Sequence, residues 1–218
     1  MKISIDGPAA SGKTVVGKSV SEKLNLRFLD TGLMYRSATW LCLHNNIDIS
    51  DIKATTQIVC SGIFQPTNIN GQIGVTINGN PIDQNLYTKE INESVSILSK
   101  IKQVREHLVK QQKHIAESES IVMVGRDIGT VVMPDARPKV FLEASLEVRV
   151  LRRLSENELS VNKYQICEMK KTLKARDKMD TERKESPLRP ANDALLIDTT
   201  KIGIEEVVTT IIAAAYKN

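Results

Sequence analysis

An eight-residue segment near the start of the chain restricts its fold more than any other feature. It reads Gly7-Pro-Ala-Ala-Ser-Gly-Lys-Thr14 and matches the pattern Gly-x-x-x-x-Gly-Lys-[Ser/Thr] in full. The residues before it, Lys2–Asp6, alternate as in a short strand, and Lys13–Leu24 carry apolar side chains at helical spacing. This order of strand, glycine-containing loop and helix predicts a phosphate-binding loop.

The chemistry of each position in this loop explains the pattern. Glycine at positions 7 and 12 permits backbone conformations that turn amide N–H groups inward around a phosphate. The helix that follows adds the partial positive charge of its N-terminus. The ammonium of Lys13 can reach β- and γ-phosphates, and the hydroxyl of Thr14 can ligate Mg²⁺. The segment therefore predicts nucleotide binding by Gly7, Pro8, Ala9, Ala10, Ser11, Gly12, Lys13, Thr14 and Val15.

Apolar runs later in the chain indicate a parallel sheet. Ile121–Val124 and Lys139–Leu142 are apolar without alternation, which suits strands covered on both faces, and Ala194–Asp198 is a further strand candidate. Strands that alternate with helices favour an α/β doubly wound fold. The predicted helices besides the first are about Gly32–His44, Lys89–Glu117, Leu146–Leu154, Val161–Lys178 and Ile204–Ala215.

One region has a different character. Gly62–Ile82 contains two β-rich runs and two Asn-Gly pairs, at positions 70–71 and 78–79. Asn-Gly between such runs is a strong hairpin signal, because both residues tolerate positive φ. We therefore expect a small antiparallel insertion in the α/β fold.

Composition excludes several classes of protein. At 218 residues, 41% hydrophobic and 26% charged, the chain is long and apolar enough for one globular domain. No apolar stretch approaches the roughly 18 residues that a membrane helix needs, and charge interrupts the N-terminus before a signal peptide could form. Three cysteines and three histidines show no metal-ligand spacing. We expect a cytoplasmic protein.

Positive charge is concentrated in one part of the chain. The basic segment, Arg149–Arg189, has six Arg and six Lys against seven Asp plus Glu, a net charge of +5, whereas the whole chain carries +4. Such a segment suggests an anionic partner. Tyr164 is its single aromatic residue, so a stacking platform for nucleic-acid bases is not visible. A small phosphorylated ligand explains the arginines equally well.

The phosphate loop alone leaves the kind of nucleotide-binding protein open. The guanine-reading Asn-Lys-x-Asp motif of GTPases is absent, and the run Val140–Leu142 ends in Glu143 and not in the aspartate of a Walker B strand. Small kinases often lack that aspartate, so these absences favour a kinase. Besides a nucleotide kinase, a shikimate-type kinase and a nucleotide-dependent switch that engages nucleic acid or protein remain alternatives.

Four further segments make the chain resemble the bacterial cytidylate kinases in order and spacing. They are Asp30–Arg36 (Asp-Thr-Gly-Leu-Met-Tyr-Arg), Gly125–Val132 (Gly-Arg-Asp-Ile-Gly-Thr-Val-Val), Arg176–Asp180 with Arg183, and Asp193–Thr200. The resemblance covers essentially the whole chain. It implies a P-loop kinase with a five-stranded parallel sheet flanked by helices, a small antiparallel β insertion and a helical, Arg-rich lid. The implied core is about 1–45, 90–148 and 190–218, with a monophosphate-binding insertion at about 46–89 and the lid at about 149–189.

The resemblance also implies site residues. Arg36 and Arg126 would hold the phosphate of the acceptor nucleotide, and Ser96 would lie near its base or sugar. The cytosine edge would be read by Thr31, Arg105 and Asp127. The ribose hydroxyls would be held by Arg176 and Asp180, and Arg183 would reach the base or phosphate when the lid closes.

The activity that the resemblance implies is transfer of the γ-phosphoryl group of ATP to CMP or dCMP. Lys13, Arg126 and Arg176 would be catalytic, and Thr14 would hold Mg²⁺. Such an enzyme would act on small molecules as a monomer, with neither nucleic acid nor membrane as partner.

Overall fold

The computed structural model describes residues 1–69, 72–82, 84–156 and 162–217. The strands are β1 (Lys2–Asp6), β2 (Arg27–Asp30), β3 (Phe64–Ile69), β4 (Gln72–Ile77), β5 (Asn80–Pro81), β6 (Ile121–Gly125), β7 (Lys139–Glu143) and β8 (Leu195–Asp198). The α-helices are α1 (Lys13–Leu24), α2 (Thr31–His44), α3 (Ile52–Cys60), α4 (Lys89–Leu98), α5 (Lys102–Ser118), α6 (Leu146–Glu156), α7 (Lys163–Glu182) and α8 (Ile204–Tyr216). A short π-helix covers Ile128–Val132.

The chain divides into two compact units. The first contains Met1–Phe28 and Glu119–Asn218, and the second contains Leu29–Ser118. The first unit therefore holds the phosphate loop and the basic segment, and the second holds the predicted β insertion.

A five-stranded parallel sheet, in the order β2-β6-β1-β7-β8, confirms the predicted fold class. The strand β1 lies between β6 and β7, and its last residue, Asp6, is opposite Gly125 on one side and Phe141 on the other. The carboxyl ends of these three parallel strands thus meet at one edge of the sheet. The phosphate loop leaves the sheet from this edge, where ligands bind in open α/β folds.

Two separate apolar clusters stabilise the first unit. The larger one joins buried residues of β1, β6 and β7 to those of α1 and α8, with Ile3, Ile5 and Val208 fully buried. The smaller one consists of Ala9 in the phosphate loop and buried residues of α6 and α7. Among the described residues, no helix has both the length and the apolar character needed to cross a bilayer.

The second unit contains the antiparallel insertion that the Asn-Gly pairs predict. Its sheet has the order β3-β4-β5, and Phe64 and Val75 are buried. Between β4 and β5, Asn78 and Gly79 both have positive φ, 52° and 81°, as a two-residue hairpin turn requires. The other pair, at positions 70–71, lies outside the described residues.

Side chains mark the first residues of three helices in this unit. Asp30, Asp51 and Thr88 precede α2, α3 and α4, and each accepts a hydrogen bond from a backbone N–H in the first turn. Such caps satisfy N–H groups that have no acceptor within the helix. The cap at Asp30 fixes where α2 begins, and therefore the position of Thr31 in its first turn.

The structure corrects one predicted helix and adds two elements. The single helix expected over Lys89–Glu117 is wrong, because α4 ends at Leu98 and α5 begins at Lys102. The strand β2 and the helix α3 were not expected individually. The remaining predicted helices and strands are confirmed to within a few residues, and the expected start of α7 at position 161 lies outside the described residues.

Candidate active site

The phosphate loop packs directly against the end of β7. A Cβ atom added at Gly7 would lie 2.2 Å from the carbonyl oxygen of Leu142, so a larger residue does not fit there. Gly12 has φ 93° and Ala10 has φ 58°, conformations that L-residues rarely adopt. Backbone strain of this kind is found at binding sites where the surrounding structure holds it in place.

The first turn of α1 is arranged for an anion. Gly12 caps the helix without a side-chain hydrogen bond, and the first N–H groups of a helix have no acceptor within it. Thr14 and Val15 are exposed in this turn. The Lys13 side chain is buried, and its ammonium donates to the Pro8 carbonyl oxygen and, at 3.3 Å, to Ser11 Oγ. The ammonium therefore lies within the loop.

Five of the predicted site residues come together in what we call the arginine cluster. Its members are Arg126, Asp127, Arg176, Asp180 and Arg183, and the carboxylate of Asp180 lies at its centre. Arg126 Nε donates to Asp180 Oδ2 at 2.9 Å. Arg176 Nε is 4.0 Å and Arg183 Nη1 is 3.9 Å from the same carboxylate. Arg183 Nη2 is also 3.8 Å from Asp127 Oδ1. The cluster thus joins the segment after β6 to α7 and the residue that follows it.

The electrostatics of the cluster favour the ionised form of Asp180. Burial raises the pKa of this carboxyl, but the charges of Arg126, Arg176 and Arg183 outweigh burial and hold its pKa below the usual value of 3.8. The cluster therefore keeps its negative centre at neutral pH.

Two arginines of the basic segment are linked to the phosphate loop. Arg149 contacts the loop directly, and Arg152 contacts Thr199, which in turn contacts the loop. Arg149 is buried, donates to the Ala9 carbonyl oxygen at 3.3 Å, and pairs with Asp177 at 2.8 Å. Arg152 donates to both oxygens of Thr199, whose hydroxyl donates to the Ser11 carbonyl oxygen at 3.3 Å. Sequence reasoning assigned no role to Arg149 or Thr199, because nothing in their local pattern indicates a partner so far along the chain.

In the second unit, Arg36 is held by three groups from the chain around the start of α4. Its Nη1 donates to the Leu86 carbonyl oxygen at 3.0 Å and to Asn92 Oδ1 at 2.8 Å. Its guanidinium lies over the ring of Tyr87, 4.5 Å from the centroid. Arg36 is 6% exposed, so a cation is held in a fixed orientation inside this unit.

The other predicted residues of the second unit are also buried. Thr31 is the first residue of α2, Ser96 lies in α4, and Arg105 lies in α5. Arg105 Nη1 donates to the Ser99 carbonyl oxygen at 3.3 Å, and its guanidinium lies 5.5 Å from the centroid of the Tyr35 ring. The structure thus brings Arg105 to the residue that precedes Arg36 in α2.

The fold and these residues define a class of protein. A strained loop with an inward-facing lysine, at the carboxyl edge of a parallel sheet, is a phosphate cradle. The first unit adds guanidinium groups that can neutralise further phosphate charge. A parallel sheet, a phosphate loop and arginine-bearing helices together are the arrangement of a P-loop kinase.

Comparisons with known proteins identify the family. The family model for cytidylate kinase matches residues 3–217. A cytidylate kinase of Alkaliphilus oremlandii is 42% identical over 213 residues, 97% of this chain and 96% of that one. A cytidylate kinase of Bacillus subtilis is 43% identical over 218 residues, covering 98% and 96% of the two chains. The chain belongs to the cytidylate kinase family.

A solved structure shows a similar fold. An uncharacterized protein from Eubacterium ventriosum matches with a TM-score of 0.55 over 100% of this chain and 99% of that one. The two sequences are 14% identical, so the likeness concerns the fold alone.

Proposed function

We propose that this protein transfers the γ-phosphoryl group of ATP to CMP or dCMP, giving ADP and CDP or dCDP, in pyrimidine nucleotide metabolism. The match to the cytidylate kinase family over residues 3–217 carries this proposal. The phosphate loop and the arginine cluster support it, since both supply the positive groups that a phosphoryl transfer requires. We further propose that the enzyme is a cytoplasmic monomer.

Gly7–Val15 would hold the phosphates of ATP. Gly7 lets the loop pack against the end of β7, because a Cβ atom there would lie 2.2 Å from the Leu142 carbonyl oxygen. The Lys13 ammonium would exchange its hydrogen bond to the Pro8 carbonyl for one to a phosphate oxygen. Binding would thus replace an acceptor inside the loop by one on the ligand.

The residues present also fit Mg²⁺. Thr14 places a hydroxyl in the exposed first turn of α1, next to Lys13, as the P-loop pattern requires. Mg²⁺ neutralises phosphate charge and is usually bound by one or two protein ligands together with substrate phosphates.

For the acceptor, we propose the residue roles that the family implies. Arg36 and Arg126 would hold its phosphate, and Thr31, Arg105 and Asp127 would read the cytosine edge. Ser96 would lie near the base or sugar. Arg176 and Asp180 would hold the ribose hydroxyls, and Arg183 would reach the base or phosphate as α6 and α7 close as a lid. All nine residues are buried or partly buried.

The chemistry needs no strong general base, because the acceptor oxygen already belongs to a phosphate anion. It requires in-line alignment of the two phosphates and neutralisation of charge on the transferred group. Lys13, Arg126 and Arg176 would supply this neutralisation once the lid has closed over the two nucleotides. Closure of the lid would exclude water, which would otherwise compete as acceptor.

Asp127 would distinguish cytosine from uracil. A carboxylate can accept a hydrogen bond from the cytosine amino group, but faces the uracil oxygen with repulsion. Asp127 is 5% exposed, so a mismatch there cannot easily be relieved by water. An unsatisfied buried polar group costs about 1–3 kcal/mol, which corresponds to a preference of roughly five- to 150-fold.

A coupled assay of ADP release tests the proposal, with Mg-ATP and CMP, dCMP, UMP, AMP, GMP or shikimate as acceptor. Fast turnover with CMP and dCMP alone is expected. Turnover with UMP at a similar rate would make the enzyme a broader pyrimidine kinase. Turnover with shikimate alone, or with no acceptor, would reject the proposal.

The same assay on Asp127→Ala tests the specificity role. We expect the ratio of kcat/KM for CMP to that for UMP to fall by about tenfold or more. Asp135→Ala is the matched control, because Asp135 is an exposed aspartate of the same unit that pairs with Lys2. An Asp127→Ala enzyme with the wild-type ratio would exclude Asp127 as the selective group.

A further inference from the structure

Asp6 has a buried carboxylate to which the proposed mechanism assigns no role. It lies between the phosphate loop and the segment Gly125–Val132. Asp6 is the last residue of β1 and directly precedes Gly7 of the phosphate loop. It is 4% exposed and lies opposite Gly125, the residue before Arg126. A charged group is seldom buried so completely without specific partners.

The partners of Asp6 are two consecutive backbone amides. The N–H of Ile128 donates to Asp6 Oδ1 and the N–H of Gly129 donates to Asp6 Oδ2, both at 2.8 Å. These two residues immediately follow Arg126 and Asp127 and form the first residues of the π-helix. Hydrogen bonds to an ionised carboxylate are roughly twice as strong as bonds between neutral groups. One side chain therefore ties the start of the phosphate loop to the turn that carries Arg126 and Asp127.

Two charged residues of the proposed site act on the Asp6 carboxylate. Lys13 of the phosphate loop attracts it and Asp127 repels it. Both of these groups belong to the proposed site, so a shift of Asp6 would alter the field at both. The N–H donors from Ile128 and Gly129 favour the ionised form.

We propose that Asp6 is a positioning residue that sets the direction of Arg126 and Asp127 relative to the phosphate loop. The inference rests on the proposed function, in which Arg126 holds the acceptor phosphate and Asp127 reads the base. Asp6 itself touches neither nucleotide in this scheme. Its effect is exerted through the two amides that it accepts from.

Asp6→Asn tests this role, because asparagine has a similar shape but presents an NH₂ group to one of the two N–H donors. A misplacement of about 1 Å at a reacting group can cost about 10²-fold in rate. We therefore expect kcat/KM for CMP to fall by about 10²-fold, and the preference for CMP over UMP to narrow. The Kd for ATP, measured without acceptor, is expected to stay near the wild-type value.

Ser4→Ala is the matched control. Ser4 lies two residues earlier in β1 on the same face of the strand, is fully buried, and its hydroxyl has no hydrogen-bond partner among the described residues. Its kinetic constants are expected to match the wild type. Wild-type constants for CMP and UMP in Asp6→Asn would overturn the proposal, as would an equal loss in ATP and CMP binding.

A second variant keeps the proposal testable if Asp6→Asn does not fold. A Cβ atom at Gly129 would lie 2.8 Å from Ser4 Oγ and 3.4 Å from Asp6 Oδ2, so Gly129→Ala displaces the same turn without changing the carboxylate. It is expected to lower kcat/KM for CMP while ATP binding persists. Addition of Ser4→Ala is expected to restore part of the loss, because it removes the nearest atom. A Gly129→Ala enzyme with wild-type constants would contradict the proposal.

Amide hydrogen exchange separates failure of this inference from failure of the proposed function. In Asp6→Asn, the N–H groups of Ile128 and Gly129 are expected to exchange faster than in the wild type. An absence of CMP turnover in the wild-type protein would reject the proposed function and leave this measurement valid. Unchanged exchange at both amides would reject the positioning role, whatever the substrate is.

Discussion

Asp6 and Asp180 are two aspartates of the same unit, almost equally buried, at 4% and 6% exposure. Burial raises the pKa of Asp6 to about 6, despite two backbone N–H donors. Burial acts on Asp180 in the same direction, yet three arginines hold its pKa below 3.8. At nearly equal burial, the charge of the partners therefore decides whether the pKa of an aspartate is raised or lowered.

The difference has a structural meaning. Two neutral N–H donors fix the geometry of Asp6, but they do not fully replace the water that its charge has lost. The guanidinium groups around Asp180 supply full positive charges at 2.9 to 4.0 Å. The contributions of the two carboxylates to stability should therefore change with pH in opposite directions.

The largest effect is expected from Asp180→Asn. Removal of the carboxylate leaves Arg126, Arg176 and Arg183 without the counter-charge that they share, which typically costs about 3–5 kcal/mol. Urea unfolding at neutral pH measures the difference in the free energy of unfolding. A variant as stable as the wild type would show that the guanidinium groups are solvated well enough without Asp180. It would contradict the view that the charge of its partners distinguishes Asp180 from Asp6.

The pH dependence of stability is expected to separate the two aspartates. The folded-state pKa of Asp6 is raised from 3.8 to about 6, so the folded protein binds this proton more tightly than the unfolded chain. Its contribution to stability is full below about pH 4 and is lost as the pH rises through 6, a difference on the order of 3 kcal/mol. Asp6→Asn should lack this contribution.

The measurement is the free energy of unfolding of wild type and Asp6→Asn at a series of pH values from about 4 to 7. We expect the wild type to gain stability relative to the variant as the pH falls. For Asp180, whose pKa is lowered, the wild type should lose its advantage over Asp180→Asn only below about pH 4. Parallel curves for Asp6→Asn and wild type would contradict the raised pKa of Asp6.

A smaller loss of stability is expected from Arg149→Lys. This substitution keeps the positive charge but removes the planar donor group, so it separates the effect of charge from that of hydrogen-bond geometry. Arg149 donates to the carbonyl oxygens of Ala9 and Ala144 and pairs with Asp177, and a lysine can keep only part of this set. The free energy of unfolding should fall by about 2 kcal/mol. If Arg149→Lys is as stable as the wild type, a positive charge is sufficient to pair with Asp177, and the planar guanidinium group is not required.

The smallest effect is expected from Asp193→Asn. Asp193 pairs with Lys139 at 2.7 Å, but its side chain is 62% exposed. Solvent screens exposed pairs, so we expect no measurable change in thermal unfolding. A loss as large as that of Asp180→Asn would show that pairing distance, and not burial, governs the ion pairs of this protein.

Local pattern was sufficient to predict much of the fold. The β1–loop–α1 unit, the buried strands β6 and β7 and the antiparallel insertion all have a signal within about ten residues of chain. The break between α4 and α5 has none, because Val95, Leu98, Ile101, Val104 and Leu108 continue the helical spacing across it and are all buried. The strand β2 has four residues, of which one is fully buried, so it shows no alternation.

Part of the candidate site could likewise be predicted from the sequence, and part could not. The phosphate loop and the Gly-Arg-Asp segment are readable because their residue types are specific. The contacts of Asp6 are not, because its partners are backbone amides more than 120 positions away, which any residue type provides. Arg149 is similar, since its acceptor in the phosphate loop is a carbonyl oxygen of Ala9.

The separation of the two apolar clusters has a consequence for motion within the first unit. The cluster that joins α6 and α7 contains four buried residues, Ala9, Val150, Leu154 and Leu173, apart from the sheet core. Opening of α7 would expose this small cluster and leave the contacts of β1 with α1 and α8 intact. Its amide hydrogens should therefore exchange through a sub-global opening, at a lower free energy than those of β1. Because Ala9 of the phosphate loop belongs to this cluster, opening of α7 would also remove apolar packing from the loop that precedes α1.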